Sequence, residues 1–217
     1  MLETLRFLAG PTWQTIYMVA GSTLFSVILG FPIGVLLCVT SPDGLIPKSS
    51  LNQVVGRIVN VFRSFPFIIL MILLFPLSRL IVGTSIGTTA TIVPLSVAAA
   101  PFVARIIESA LKEVDPGAIQ AARVMGSTNA QIIIRVMIPE AMPALVAGVT
   151  LTVINIIGYS AMAGAIGGGG LGDVAIRYGY QRFRMDVMVG AVLVILFMVE
   201  LIQFTGTKLA DRMINSR

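Results

Sequence analysis

Glu200 is the residue whose placement most readily suggests chemistry. It interrupts an otherwise uncharged apolar run over about 187–207, where a carboxylate can hold a cation or relay a proton. Its position toward one end of that run also lets it snorkel, or pair with a base such as Lys208 about 12 Å along a helix. That structural role is the preferred reading. The glycines at 167–170 offer a second chemistry, a loop that cradles phosphate, but the Gly-Lys-Ser/Thr ending that such a loop requires is missing. They are read as a flexible turn after a helix, with no nucleotide bound. The chain has no histidine and a single cysteine, Cys38, so the usual general base, most metal-ligand sets and an intrachain disulfide are excluded. No catalytic residue and no metal site are expected.

Whatever these residues do, helices in lipid must position them. Of 217 residues, 56% are hydrophobic and 12% charged, with a mean hydropathy of +0.95; soluble domains are about 25% charged. A soluble chain of this length could not bury that much apolar surface. The net charge of +5 is assigned to loops beside anionic lipid, with no nucleic-acid partner. A bilayer core of about 30 Å takes about 20 helical residues, which places spans at about 15–39, 58–82, 87–107, 143–164 and 187–207. The fold class is therefore an all-α membrane protein with five transmembrane helices. Residues 1–14 form an outer N-terminal segment without a signal-peptide layout, 108–142 a cytoplasmic loop and 208–217 a cytoplasmic tail. On one continuous second helix, Arg63 and Arg79 stand about 24 Å apart near opposite membrane faces. Arg63 is read first as an interfacial anchor and second as a bundle-interior partner.

Lysine and arginine orient the chain. Lys48, Arg57, Arg63, Arg105, Lys112, Arg123, Arg135, Lys208, Arg212 and Arg217 fall on one side, against Arg6, Arg79, Arg177, Arg182 and Arg184 on the other. Ten against five puts the C-terminus in the cytoplasm and the N-terminus outside, with Trp13 and Tyr17 as an outer aromatic anchor.

The long loop carries the clearest local signals. Asp115 caps a helix with Pro116 in its first turn, and Gly126 stops it. Ala118, Ala121, Ala122 and Met125 recur at i, i+3, i+4 and i+7, which gives a small, smooth face. Thr128 and Gln131 match a capping box for a second helix reaching about Met137, after which Ile138-Pro139 turns the chain back toward the membrane. A short helix with such a face suits a groove on another protein; lying at the lipid surface is the alternative.

The order Gln120-Ala121-Ala122, three residues, Gly126, nine residues, Val136, then Ile138-Pro139 resembles the EAA loop of binding-protein-dependent ABC importer permeases. Gln120 replaces the family's acidic residue, keeping hydrogen bonds and losing the charge for a salt bridge to an ATPase. Ile138 replaces its leucine. A wider resemblance, to methionine-importer permeases, runs through residues 61–70, 83–87, 99–105, 158–172 and 177–180. It implies a type I importer permease in the bacterial cytoplasmic (inner) membrane that imports L- or D-methionine by alternating access. The implied assembly is a homodimer with two ABC ATPase subunits, which bind ATP and Mg, and an outer methionine-binding protein. The loop residues Ala118, Gln120, Ala121, Ala122, Met125, Gly126, Ile138 and Pro139 would then couple to the ATPase.

Two further sets concern the path itself. Gly30 and Gly34 form a G-x-x-x-G pair suited to close helix packing. Asn155 and Met162, seven apart on the fourth helix, are placed on the pathway, and Ser160 against a neighbouring helix. The competing functions are an ABC permease for another amino acid or small nutrient, and an ion-coupled carrier using Glu200.

Overall fold

The computed structural model describes the backbone of residues 2–215 and the side chains of residues 6–215, and every regular element in that range is helical. Arg217 of the charge count, residue 1 of the outer segment and residues 216–217 of the tail lie outside the described residues. Among the described residues, four stretches are long and apolar enough to cross a membrane: Arg6–Thr40, Thr88–Lys112, Asn129–Gly164 and Met185–Asn215. A fifth crossing requires the pair Ser49–Ser64 and Phe67–Leu73, which is bent by 103°.

Helix α1 (Leu2–Thr40) begins well before residue 15 and takes up the segment expected to precede the first span. At 39 residues it is about 58 Å long. Its main partner is α5 (Thr88–Lys112), the most enclosed of the long helices. Gly30 and Gly34 set that contact. A Cβ at Gly30 would stand 2.7 Å from the Ala100 carbonyl oxygen, and one at Gly34 2.6 Å from that of Ala104. The G-x-x-x-G pair thus brings two helices of one chain together. Pro94 and Pro101 sit inside α5 without ending it. Because α5 extends to Lys112, Glu108 belongs to that helix and not to the loop that follows.

The expected single helix over 58–82 is instead three: α2 (Ser49–Ser64), α3 (Phe67–Leu73) and α4 (Phe75–Val82). Pro66 forces Phe65 into extended backbone (φ −69°, ψ 133°), and Pro76 occupies the first turn of α4. Arg63 and Arg79 therefore do not share one axis. Gly83, at φ +86°, closes α4 in the left-handed conformation that glycine accepts freely.

After α6 (Pro116–Val124) and α7 (Asn129–Ile132), the chain does not turn at Ile138-Pro139. It continues through a π-helical stretch, Ile133–Met137, into α8 (Ile138–Gly164), so helix runs unbroken from Asn129 to Gly164. The wider turn ends just before Pro139, whose ring would otherwise press on the carbonyl of Arg135. The fourth long helix thus starts earlier than 143.

The glycines at 167–170 do not form a loose turn. Gly170 N–H donates to Gln14 Oε1 (3.0 Å) and Leu171 N–H to Thr15 Oγ1 (2.9 Å), both on α1. Gly87 N–H donates to the Gly167 carbonyl (3.0 Å). Gly167, Gly169 and Gly170 have φ of +90°, +77° and +79°, so the sharp path needs residues without a Cβ. Next come α9 (Gly170–Val174), a π-helical turn at Ala175–Tyr180 and α10 (Met185–Asn215), which carries helix through most of the expected tail.

Candidate functional site

The caps of α6 and α7 form as the residue types dictate. Asp115 Oδ1 accepts from Gly117 N–H at 3.0 Å, ahead of Pro116. Gly126 takes φ +83° at the far end. Thr128 Oγ1 accepts from Gln131 N–H (3.3 Å) while Gln131 Oε1 accepts from Thr128 N–H (2.8 Å), closing the capping box.

The face of α6 differs from the expected one. Ala122 is 3% exposed and packs into the chain's own core with Cys38, Leu111, Ile132 and Met137; Ala118 is half-buried. Gln120 and Ala121 are exposed, and Val124 and Met125 reach 89% and 79%. The outward surface is therefore Gln120, Ala121, Val124 and Met125, with Gly126 open beside it. Ala118 and Ala122 hold the helix from behind. The four-residue smooth face failed because i, i+3, i+4 spacing identifies a shared side of a helix and not whether that side faces in or out. Val124 was missed, although a large apolar residue beside Met125 and ahead of a terminal glycine was a readable signal.

Ile138 and Ile119 both border that core, which also takes in Val103, Ile107 and Leu145 and so joins α6 to α5 and α8. Pro139 is exposed at the start of α8. A load on α6 passes through packed side chains into these helices, since close-packed interiors compress little. The same end holds a second missed group, Glu108. It is 6% exposed and receives Arg105 Nη1 and Lys112 Nζ, each at 2.7 Å. Arg105 Nη2 also donates to the Gly56 carbonyl (3.1 Å) and Asn60 Oδ1 (2.9 Å), tying α5 to α2. Bases at i−3 and i+4 of Glu108 were visible in the sequence.

On α8, Leu151, Asn155, Gly158 and Met162 are exposed at i, i+4, i+7 and i+11, which makes one stripe along the helix. Nothing lies within 4 Å of a Cβ built on Gly158. Asn155 and Met162 thus share an open face. Ser160 does not bond a neighbouring helix; its hydroxyl donates to the Ile157 carbonyl of its own helix at 2.8 Å. Glu200 is exposed on α10 and, among the described residues, has no hydrogen-bond or ion-pair partner. Lys208 lies instead over the Phe204 ring at 5.4 Å. No group of His, Cys, Asp and Glu suited to a metal occurs among the described residues.

The chain is 50% identical over 201 residues to the probable D-methionine transport system permease protein MetI of Vibrio cholerae, covering 93% of this chain and 89% of that protein. It is 46% identical over 195 residues to the methionine import system permease protein MetP of Bacillus subtilis, covering 90% and 88%. Among solved structures, a chain of the MetNI methionine ABC transporter in inward-facing conformations superposes with a TM-score of 0.95 at 45% identity, covering 98% of this chain and 99% of that one. The profile of the family described as binding-protein-dependent transport system inner membrane component matches residues 26–213. The all-helical fold with its α6 element and the extent of these matches make this chain a member of the binding-protein-dependent transport system inner membrane component family, a membrane transport subunit and not an enzyme.

Proposed function

We propose that this chain is the permease subunit of an ATP-driven importer that brings methionine across a bacterial inner membrane. The observation that carries the reading is α6, capped at both ends, presenting Gln120, Ala121, Val124 and Met125 outward and backed by the core that reaches the base of α8. Two copies of the chain would enclose the path around the α8 stripes, as a two-fold assembly permits. Two ATPase subunits, which bind ATP and Mg, dock on the two α6 elements. A methionine-binding protein delivers substrate from the other side. ATP and the binding protein drive alternating access only through unequal affinity for the two states. The methionine assignment rests on what the relatives import.

Labelled-methionine uptake into vesicles that hold the complete complex tests this reading. Uptake should require ATP and the binding protein. Uptake driven by an ion gradient without ATP would favour a carrier. Glu200 on α10, exposed and with no ion pair among the described residues, is the group that such a carrier would use.

The proposed orientation puts the N-terminus outside and α6 in the cytoplasm, from the charge asymmetry. Single cysteines introduced at residues 167–182 after Cys38→Ser should react with an impermeant reagent added outside, and those at 116–130 should not. The reverse labelling would overturn the orientation.

Met162 is 47% exposed on the α8 stripe and is assigned to the pathway with Asn155. Met162→Trp should reduce uptake at least about tenfold by filling the path, while leaving the complex assembled. Unaltered uptake would remove Met162 from the pathway.

A further inference from the structure

Arg63 stands in the last turn of α2, just before the break at Pro66. Its side chain borders a crevice of about 160 Å³ lined by Phe62, Phe67, Ala98, Phe102 and Tyr159. Ala98 and Phe102 stand two residues either side of the midpoint of α5 (Thr88–Lys112), so the crevice lies midway along that helix. Arg63 therefore lies level with the uncharged part of α5, short of Arg105. It is exposed in the single chain and has no ion-pair partner among the described residues. A guanidinium at that depth is strongly unfavourable against lipid and is retained where it faces a cavity, a pathway or an opposite charge.

The crevice borders the pathway face. Phe67 stacks on Tyr159 with centroids 4.4 Å apart and planes 9° from parallel. Tyr159 lies one turn from Asn155 and three residues from Met162, at the edge of the exposed α8 stripe. One wall thus supplies a fork of five N–H donors matched to a carboxylate. The others supply aromatic rings, which attract a thioether sulfur at their edges and an ammonium at their faces. The crevice, of about 160 Å³, has room for a small molecule and opens to the outside of the chain.

We infer that this crevice is a substrate site within the membrane, in which Arg63 holds the carboxylate of a zwitterionic α-amino acid and the aromatic walls hold its unbranched thioether side chain. The inference rests on the methionine-import reading and adds to it the residues that recognise substrate after the binding protein has released it.

Binding of labelled methionine to the permease–ATPase complex in nanodiscs, without the binding protein, tests the site. Methionine should bind at least about tenfold more tightly than methioninamide, whose neutral amide gives Arg63 no charge to pair with. Arg63→Gln should weaken methionine by a similar factor and erase that discrimination. Arg63→Lys should fall between, since it keeps charge and loses the fork. Phe67→Leu should weaken methionine about three- to tenfold and leave the discrimination in place. Each variant is compared only as a complex that elutes intact with its ATPase. If intact Arg63→Gln complexes bind methionine as the wild type does, or if the wild type binds none at millimolar concentration, the site is overturned. Failure of the wild type to import methionine with its binding protein present would instead strike the import reading, so the two failures are distinguishable.

Discussion

Ala121→Arg is expected to separate the permease from its ATPase and to abolish import while leaving the permease folded. Ala121 lies on the outward side of α6 with Val124 and Met125, the most exposed apolar pair of that helix. A bulky cation there overfills a closely fitted contact and buries a charge with no designed partner. Such a change is worth about 2 kcal/mol or more, roughly thirtyfold in affinity. Co-purification of the ATPase and ATP-dependent uptake both report it. Ala122→Arg is the informative contrast. Ala122 is 3% exposed in the chain's own core, so that change should lower the yield of folded permease itself. Stoichiometric ATPase and wild-type uptake with Ala121→Arg would show that α6 is not the docking element.

Gly34→Leu is expected to prevent assembly of the helix bundle. The first added carbon would already meet the Ala104 carbonyl oxygen at 2.6 Å and Ile107 Cβ at 2.7 Å, and backbone cannot swing aside as a side-chain tip can. Overpacking of a tight contact destabilises by about 1–3 kcal/mol; a whole leucine placed against backbone belongs at or beyond the top of that range. Gly158→Ala, where the added carbon meets open space, should leave folding intact. Thermal unfolding and the yield of monodisperse complex in detergent compare the two. Equal stability for both variants would mean that α1 and α5 do not pack as closely as the structure places them.

Most of the helical architecture was legible because lipid leaves a chain few options. With no water to satisfy backbone groups, uncharged runs must be helices, and the caps at Asp115, Thr128 and Gly126 depend on nearest neighbours alone. What escaped depended on neighbours in space. Pro66 and Pro76 marked the breaks near the second span, yet Pro94, Pro101 and Pro139 leave their helices continuous. Sequence alone does not say which proline has packing around it that restores the lost hydrogen bond. The glycines at 167–170 read as loose for the same reason, since Gln14 and Thr15, which anchor them, lie 156 positions away. In the candidate site, the residues of α6 were found but its inward and outward sides were mixed. Solvent on one side and the core around Cys38 on the other decide that matter, and alanines stand on both sides of the helix.

That anchoring also orders events as the chain is made. Gln14 and Thr15 emerge among the first residues, and the N–H groups they accept from, on Gly170 and Leu171, emerge 156 positions later. At about 5–20 residues per second, roughly 8–31 s separate the two. During that interval α1 is not left with its threonine hydroxyl unsatisfied in lipid, because Thr15 Oγ1 donates to the Pro11 carbonyl of its own helix at 3.1 Å. The oxygen's lone pairs stay free to accept the late-arriving N–H. The groove at Gly30 and Gly34 is filled sooner, by α5 residues some 70 positions downstream. Closure of the glycine segment on α1 thus comes late in synthesis, and a nascent chain halted after α8 would have its first helix packed but this clasp unmade.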